Sequence, residues 1–275
     1  MKRKLLVFYG LKWNPFTPDV PVSALYRTPR IDSFLYRMED LAREGGFALI
    51  AGPPGTGKST TLRMLSDQLS QVRDLRVGVL TRSQCSMADF YRELGDLFGV
   101  ELSPHNRWAG TKVLRERWQG FVETSLFRPV LLVDEVQEMA APVLNELRTL
   151  MSVDLDSVQL LTVVLSGDNR LLTRLRHDDL LPLGSRIRTR LILEGGTAKE
   201  LADCLRHAME SAGNARLMTD GLVKTLSEHS AGNHRVLMAT ASELLARGAE
   251  KEVEKLDEKL FLTVFDPGPK RGGRS

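Results

Sequence analysis

Short apolar runs alternate with longer stretches of helical spacing along most of this chain. Phe47-Ala-Leu-Ile-Ala51 is an uninterrupted apolar run, which predicts a strand buried on both faces. Comparable runs at Arg76–Leu80, Val130–Val133, Gln159–Leu165 and Arg190–Leu193 predict four more strands. Between them, Ile31–Glu44, Ser59–Leu69, Met87–Phe98, Thr111–Thr124 and Pro142–Met151 place apolar residues at helical intervals, and Ser86 offers an N-cap. Buried strands alternating with helices predict an α/β fold, a mostly parallel sheet covered on both faces. The strand pattern stops at Glu194-Gly195-Gly196. Beyond it, Thr197–Ala212, Thr219–His229, Arg235–Ala246 and Asp257–Leu262 all read as helices, so a small all-α domain is expected at the C-terminal side. Residues 1–30 hold Trp13, Pro15, Phe16, Pro18, Pro21 and Pro29, and predict an irregular strap rather than a helix. The expected organisation is a strap at 1–30, an α/β domain at 31–194, a helical domain at 195–265 and a disordered basic tail at 266–275.

Composition narrows the class without naming the chemistry. The 275 residues are 42% hydrophobic and 27% charged, ordinary for a globular protein. No stretch approaches the roughly 18 apolar residues of a membrane helix. The opening Met1-Lys-Arg-Lys-Leu-Leu-Val-Phe run is too short for a signal peptide and lacks a small-residue cleavage site. Cys85 and Cys204 stand far apart without CxxC spacing, which fits a reducing, cytoplasmic setting and argues against disulfides or structural zinc. A net charge of +3 permits a polyanionic partner without requiring one.

Chemistry enters at Gly52-Pro53-Pro54-Gly55-Thr56-Gly57-Lys58-Ser59, followed by Thr60. The run matches G-x-x-x-x-G-K-[ST] and lies between a predicted strand and a predicted helix, the context of a phosphate-binding loop. Its glycines let backbone N–H groups close around phosphate, and the helix N-terminus adds positive potential. Lys58 is the expected cation for the β and γ oxygens of ATP, and Ser59 the expected hydroxyl for Mg²⁺. Leu131-Leu-Val-Asp134-Glu135 ends a predicted strand in two carboxylates. Asp134 is expected to hold Mg²⁺ and Glu135 to activate the attacking water.

Three weaker signals follow. Ser166-Gly-Asp168-Asn169 ends the next predicted strand, and either Asp168 or Asn169 could report on the γ-phosphate; spacing does not choose between them. Arg186, Arg188 and Arg190 alternate through Leu183-Gly-Ser-Arg-Ile-Arg-Thr-Arg. An arginine at a subunit edge can neutralise charge on a neighbour's nucleotide, with Arg186 the first choice and Arg188 the second. Gly232-Asn-His-Arg235 opens a helix of the all-α domain and places Arg235 in its first turn.

Taken in order, GPPGTGKS, LLVDE, the polar strand end, LGSRI and GNHR resemble an AAA+ ATPase. The segment from Phe8-Tyr9-Gly10-Leu11 through Asn14-Pro15-Phe16 to Leu25-Tyr26 resembles the amino-terminal strap of ExeA/GspA-type ATPases. This resemblance covers about residues 8–250. It implies a P-loop sheet with a small helical lid, ATP with Mg²⁺, a γ-phosphate contact from Arg235, and homo-oligomers that complete the site in trans. One branch of the family assembles secretion machinery and carries a membrane segment. The other, similar to TnsC, TniB and IstB, is compact and directs a transposase on double-stranded DNA. The compact length favours an ATP-driven regulator of transposition, with a transposase or target-selector partner and no membrane. The secretion-assembly ATPase and a nucleotide-gated adaptor with little turnover are the alternatives. On the transposition reading, Arg82, Arg107, Lys112 and Arg115 are candidate contacts to the DNA backbone. The chain departs from the family at Asp168, where many relatives have Gln, and at His234, where proline is usual.

Overall fold

A computed structural model describes residues 2–100, 107–124, 127–153 and 157–265. The expected tail at 266–275 lies outside them. Two compact units result, one drawn from Arg27–Pro53 and Lys58–Leu193, the other from Met1–Tyr26, Pro54–Gly57 and Glu194–Ser275.

The helical unit begins with α1 (Lys2–Tyr9), a correction to the irregular strap. The prolines start only at Pro15, so nothing forbids a helix before them. Its last turn is anchored: Tyr9, Leu11 and Phe16 are buried among the later helices, and the Tyr9 hydroxyl donates to the Val253 carbonyl at 2.9 Å. Burial raises the Tyr9 hydroxyl to about 12.

The sheet unit opens on α2 (Pro29–Glu44), which starts two residues earlier than the apolar spacing suggests. Thr28 caps it, and Pro29 occupies the first helical position, where its missing N–H costs nothing. Then follow β1 (Gly46–Ala51), α3 (Lys58–Ser70), β2 (Leu75–Leu80), α4 (Met87–Phe98), α5 (Arg107–Glu123), β3 (Arg128–Val133), α6 (Ala141–Met151), β4 (Ser152–Val153), β5 (Val158–Gln159), β6 (Thr162–Gly167), α7 (Asn169–Arg174), α8 (Leu181–Gly184) and β7 (Ile187–Ile192). Five strands form one parallel sheet in the order β2-β3-β6-β1-β7. Every residue of β1 and β6 is buried, as a sheet covered on both faces requires. One side of the core packs Phe90, Phe98 and Trp118 against β3, with Phe98 and Trp118 edge to face at 5.4 Å.

Two strand expectations shift. The apolar run beginning at Gln159 does not enter the sheet as one strand: Val158–Gln159 pairs antiparallel with Ser152–Val153, and the sheet strand starts at Thr162. A continuous apolar run carries no period, so it cannot set its own register. The last strand starts at Ile187 rather than Arg190. Ile187, Thr189 and Leu191 point inward while Arg188 and Arg190 are exposed, the alternation of an edge strand.

The rest of the helical unit is α9 (Ala198–Ala212), α10 (Asp220–His229), α11 (His234–Glu250) and α12 (Glu258–Phe265). Thr197 and Glu200 form a reciprocal capping box at the start of α9. Cys204 is buried in α9, and that burial pushes its thiol up to about 12. Among the described residues, no helix is long and apolar enough to cross a membrane.

Candidate nucleotide site

Gly52 to Ser59 leaves the carboxyl end of β1 and turns directly into α3. Gly52 passes so close to the sheet that a Cβ would collide with the Leu193 carbonyl oxygen, and its N–H donates to Gly167 O at 3.3 Å. Gly57 turns the loop at φ +97°, a conformation that L side chains rarely adopt. Lys58 is buried, and its ammonium donates to the carbonyls of Gly52 at 2.9 Å and Pro53 at 3.0 Å. A full positive charge therefore sits inside a ring of backbone at the start of a helix. Thr56 is buried, Gly55 and Thr60 are half-buried, and Pro53, Pro54 and Ser59 are exposed.

Asp134 and Glu135 follow β3, two strands from β1, with β6 between. Parallel register puts both loops on the same edge: Val133 lies beside Leu165 in β6, and Ala51 beside Gly167. Strands spaced at ~4.8 Å separate β1 and β3 by about 10 Å, a gap that a phosphate chain and a cation can bridge. Asp134 accepts hydrogen bonds from the Ser166 hydroxyl at 2.6 Å and from the Glu135 N–H at 2.9 Å. Glu135 adopts the left-handed conformation, φ +52°, a strained choice for a non-glycine residue and common where function demands it. Its exposed carboxylate accepts from the Gln137 side-chain amide.

Asp168 is placed differently from the expectation. Its carboxylate caps α7 by accepting from Arg170 N–H at 2.8 Å, and it pairs with the Arg170 guanidinium at 2.8 Å. Those partners already occupy a group expected to sense phosphate. Asn169 is exposed in the first turn of α7. Two buried polar side chains meet at this strand end, Ser166 of β6 and Gln137 from the turn after β3, and sequence reasoning passed over Gln137. Ser166 and Arg174 were missed as well; Arg174 donates to the carbonyls of Gln137 at 2.7 Å and Met139 at 2.8 Å, pinning the turn after Glu135.

The three arginines run from the opposite end of the sheet, at Arg186, to the middle of β7, where Arg190 lies beside Leu49. Arg186 immediately precedes Ile187, which pairs with Phe47 at the amino end of β1. At ~3.3 Å per residue, that end is about 16 Å from Gly52 along the strand. Arg186 donates to Pro182 O at 2.8 Å, Arg188 pairs with Glu44 at 3.3 Å, and Arg190 donates to Gly184 O at 3.1 Å.

Within the helical unit, Asn233 caps α11 by accepting from Arg235 N–H at 3.0 Å and Val236 N–H at 3.1 Å. Its amide donates to Pro54 O at 3.3 Å, and the Arg235 N–H reaches Gly55 O at 3.3 Å. The Arg235 residue itself is exposed. Next to it, burial holds the His234 imidazole below its ordinary value, against the opposing pull of Glu200. The folded state therefore resists a proton that the unfolded chain accepts. Stability is complete above about pH 6.5, and this term erodes as pH falls below that value. His234→Gln is expected to flatten the fall in melting temperature between about pH 7 and 5.5; identical slopes in the two proteins would exclude it.

Of the DNA candidates, Arg82 is exposed after β2, and Lys112 is exposed beside Glu116 at 3.7 Å. Arg107 is the first residue of α5. Arg115 is half-buried and donates to the Thr149 carbonyl, so it is engaged inside the sheet unit.

Comparison with known proteins points to the same fold. Residues 41–175 match the AAA domain family. General secretion pathway protein A of Aeromonas hydrophila is 30% identical over 255 residues, 90% of this chain. The chain spans 46% of that relative's length. Among solved structures, the ORC2 protein of Aeropyrum pernix superposes with a TM-score of 0.70 at 15% identity, covering 92% of this chain and 71% of that one. Drosophila ORC bound to DNA gives 0.70 at 16% identity, with coverage of 94% and 64%, and Cdc6p of Pyrobaculum aerophilum gives 0.68 at 14%, with 88% and 67%. A loop built for phosphate and an acidic strand tip on the same sheet edge thus lie in a chain whose residues 41–175 match the AAA domain family and which resembles general secretion pathway protein A across most of its length.

Proposed function

We propose that the chain is a self-assembling switch driven by ATP, in which Lys58 and the N–H groups of the Gly52–Thr60 loop bind the phosphates. Ser59 and Asp134 supply the few hard oxygen donors that Mg²⁺ takes, and the ion adds charge neutralisation when bound. Glu135 takes the proton of the attacking water. Arg235, in the first turn of α11, is the helical unit's candidate for the γ-phosphate. Arg186 acts on the nucleotide of a neighbouring copy. The observation that carries this reading is the division of the sheet unit: loop and carboxylates share one edge, while Arg186 stands at the opposite end of β7. A guanidinium there is too far to serve its own loop, so it serves another's.

The partner proposed is double-stranded DNA, with control of a transposase or target selector as the outcome, in the cytoplasm. Support comes from the net charge of +3, the exposed Arg82 and Lys112, and the seating of a related fold on DNA in the ORC structure. A second reading, assembly of a secretion apparatus, is favoured by the identity to general secretion pathway protein A across most of the chain. Steady-state ATP turnover with and without duplex DNA separates them. The DNA reading expects turnover to rise several-fold with DNA, and the rise to vanish as salt increases, because phosphate contacts release counterions. Turnover indifferent to DNA at low salt would overturn it and leave the secretion reading standing.

A further inference from the structure

We propose that Gln137 is a positioning residue that clamps Glu135 to the end of β6. It rests on the assignment of Glu135 as the base. The arrangement is specific. Gln137 is 8% exposed, unusual for an amide that belongs to no regular element of the sheet. Both ends of its amide are engaged. Its NH₂ donates to the Glu135 carboxylate, and its oxygen accepts from the Asp168 N–H at 3.1 Å. Its backbone is pinned too, since Arg174 donates to the Gln137 carbonyl at 2.7 Å.

Gly167 leaves the space for this. A Cβ there would lie 2.7 Å from the Gln137 side-chain oxygen. Residue 167 is thus held to glycine by the clamp as well as by nearby Leu171. Without the clamp, Glu135 would be an exposed carboxylate on a flexible stem, sampling several rotamers. With it, one carboxylate oxygen is fixed by a buried donor, and the other, which has no hydrogen-bond donor among the described residues, can accept a proton from water. Asp168 N–H, the second partner, begins the turn into α7, and the Asp168 carboxylate pairs with Arg170, which also binds Glu138 at 2.7 Å. A shift of that surface network therefore moves the clamp, and through it the base.

Gln137→Met keeps the volume and removes both side-chain hydrogen bonds. It is expected to lower kcat about tenfold, the worth of one hydrogen bond to a charged group, while KM and the Kd for ATP stay within about twofold. Gln137→Glu keeps the acceptor for Asp168 N–H but sets a like charge against Glu135, and a deeper loss of kcat is expected. In a Glu135→Gln background, Gln137→Met should cost nothing further, because the base it orients is gone. An unchanged or raised kcat in Gln137→Met, a loss matched by weaker ATP binding, or full additivity with Glu135→Gln would each overturn the clamp. Glu135→Gln measured alone keeps the two ideas apart. Undiminished turnover there removes the base assignment; loss there with an unaffected Gln137→Met removes only the clamp.

Discussion

Lys58→Ala is expected to weaken ATP binding by at least 100-fold, measured by titration with a fluorescent ATP analogue. Lys58 is buried at the centre of the loop, its ammonium facing the carbonyls of Gly52 and Pro53. A triphosphate would replace those neutral acceptors with charged oxygens, and each charge-assisted hydrogen bond contributes about 1.5–3 kcal/mol. Losing two such bonds corresponds to about 3–6 kcal/mol, or two to four decades of affinity. Alanine also leaves two loop carbonyls without their donor, so a modest fall in stability without nucleotide accompanies the loss. A Kd equal to that of the parent protein would remove the loop from the nucleotide site.

Glu135→Gln is expected to keep ATP binding within about twofold while lowering kcat by 10²–10⁴, the usual contribution of a positioned general base. The substitution is conservative in this setting. A glutamine tolerates the φ of +52° about as well as glutamate, and its amide oxygen still accepts from Gln137. Geometry is retained and only basicity is lost, so the fall reports proton transfer rather than misfolding. Single-turnover measurement at saturating ATP checks it. A kcat close to that of the parent would take Glu135 out of the reaction.

Much of this was legible before any coordinates, for reasons that differ by element. β1 and β3 are buried on both faces, so they appear as unbroken apolar runs with clear ends. The phosphate loop depends on glycine and lysine at fixed offsets, a local demand that sequence displays directly. α4 was marked at its start by Ser86 as its cap, and the structure adds Gly99 as its left-handed stop. β6 was misplaced because the apolar residues before Thr162 leave its start open, and β7 because its exposed arginines hid an alternating edge strand. α1 was missed because neighbouring prolines coloured the whole segment. Gln137 was invisible for a deeper reason: its amide oxygen meets Asp168 N–H across a bare Gly167, both arriving at the end of another strand about thirty residues on, and the left-handed turn at Glu135 that brings the carboxylate to its NH₂ leaves no signature in residue type.

The distance from Arg186 to its own phosphate loop has a consequence for how the protein is switched. On the proposed assignment, a solitary copy holds fuel but lacks one tool for burning it. Consumption then scales with encounters rather than with copy number, so dilution alone keeps the molecule silent. Any scaffold that gathers copies side by side becomes the ignition.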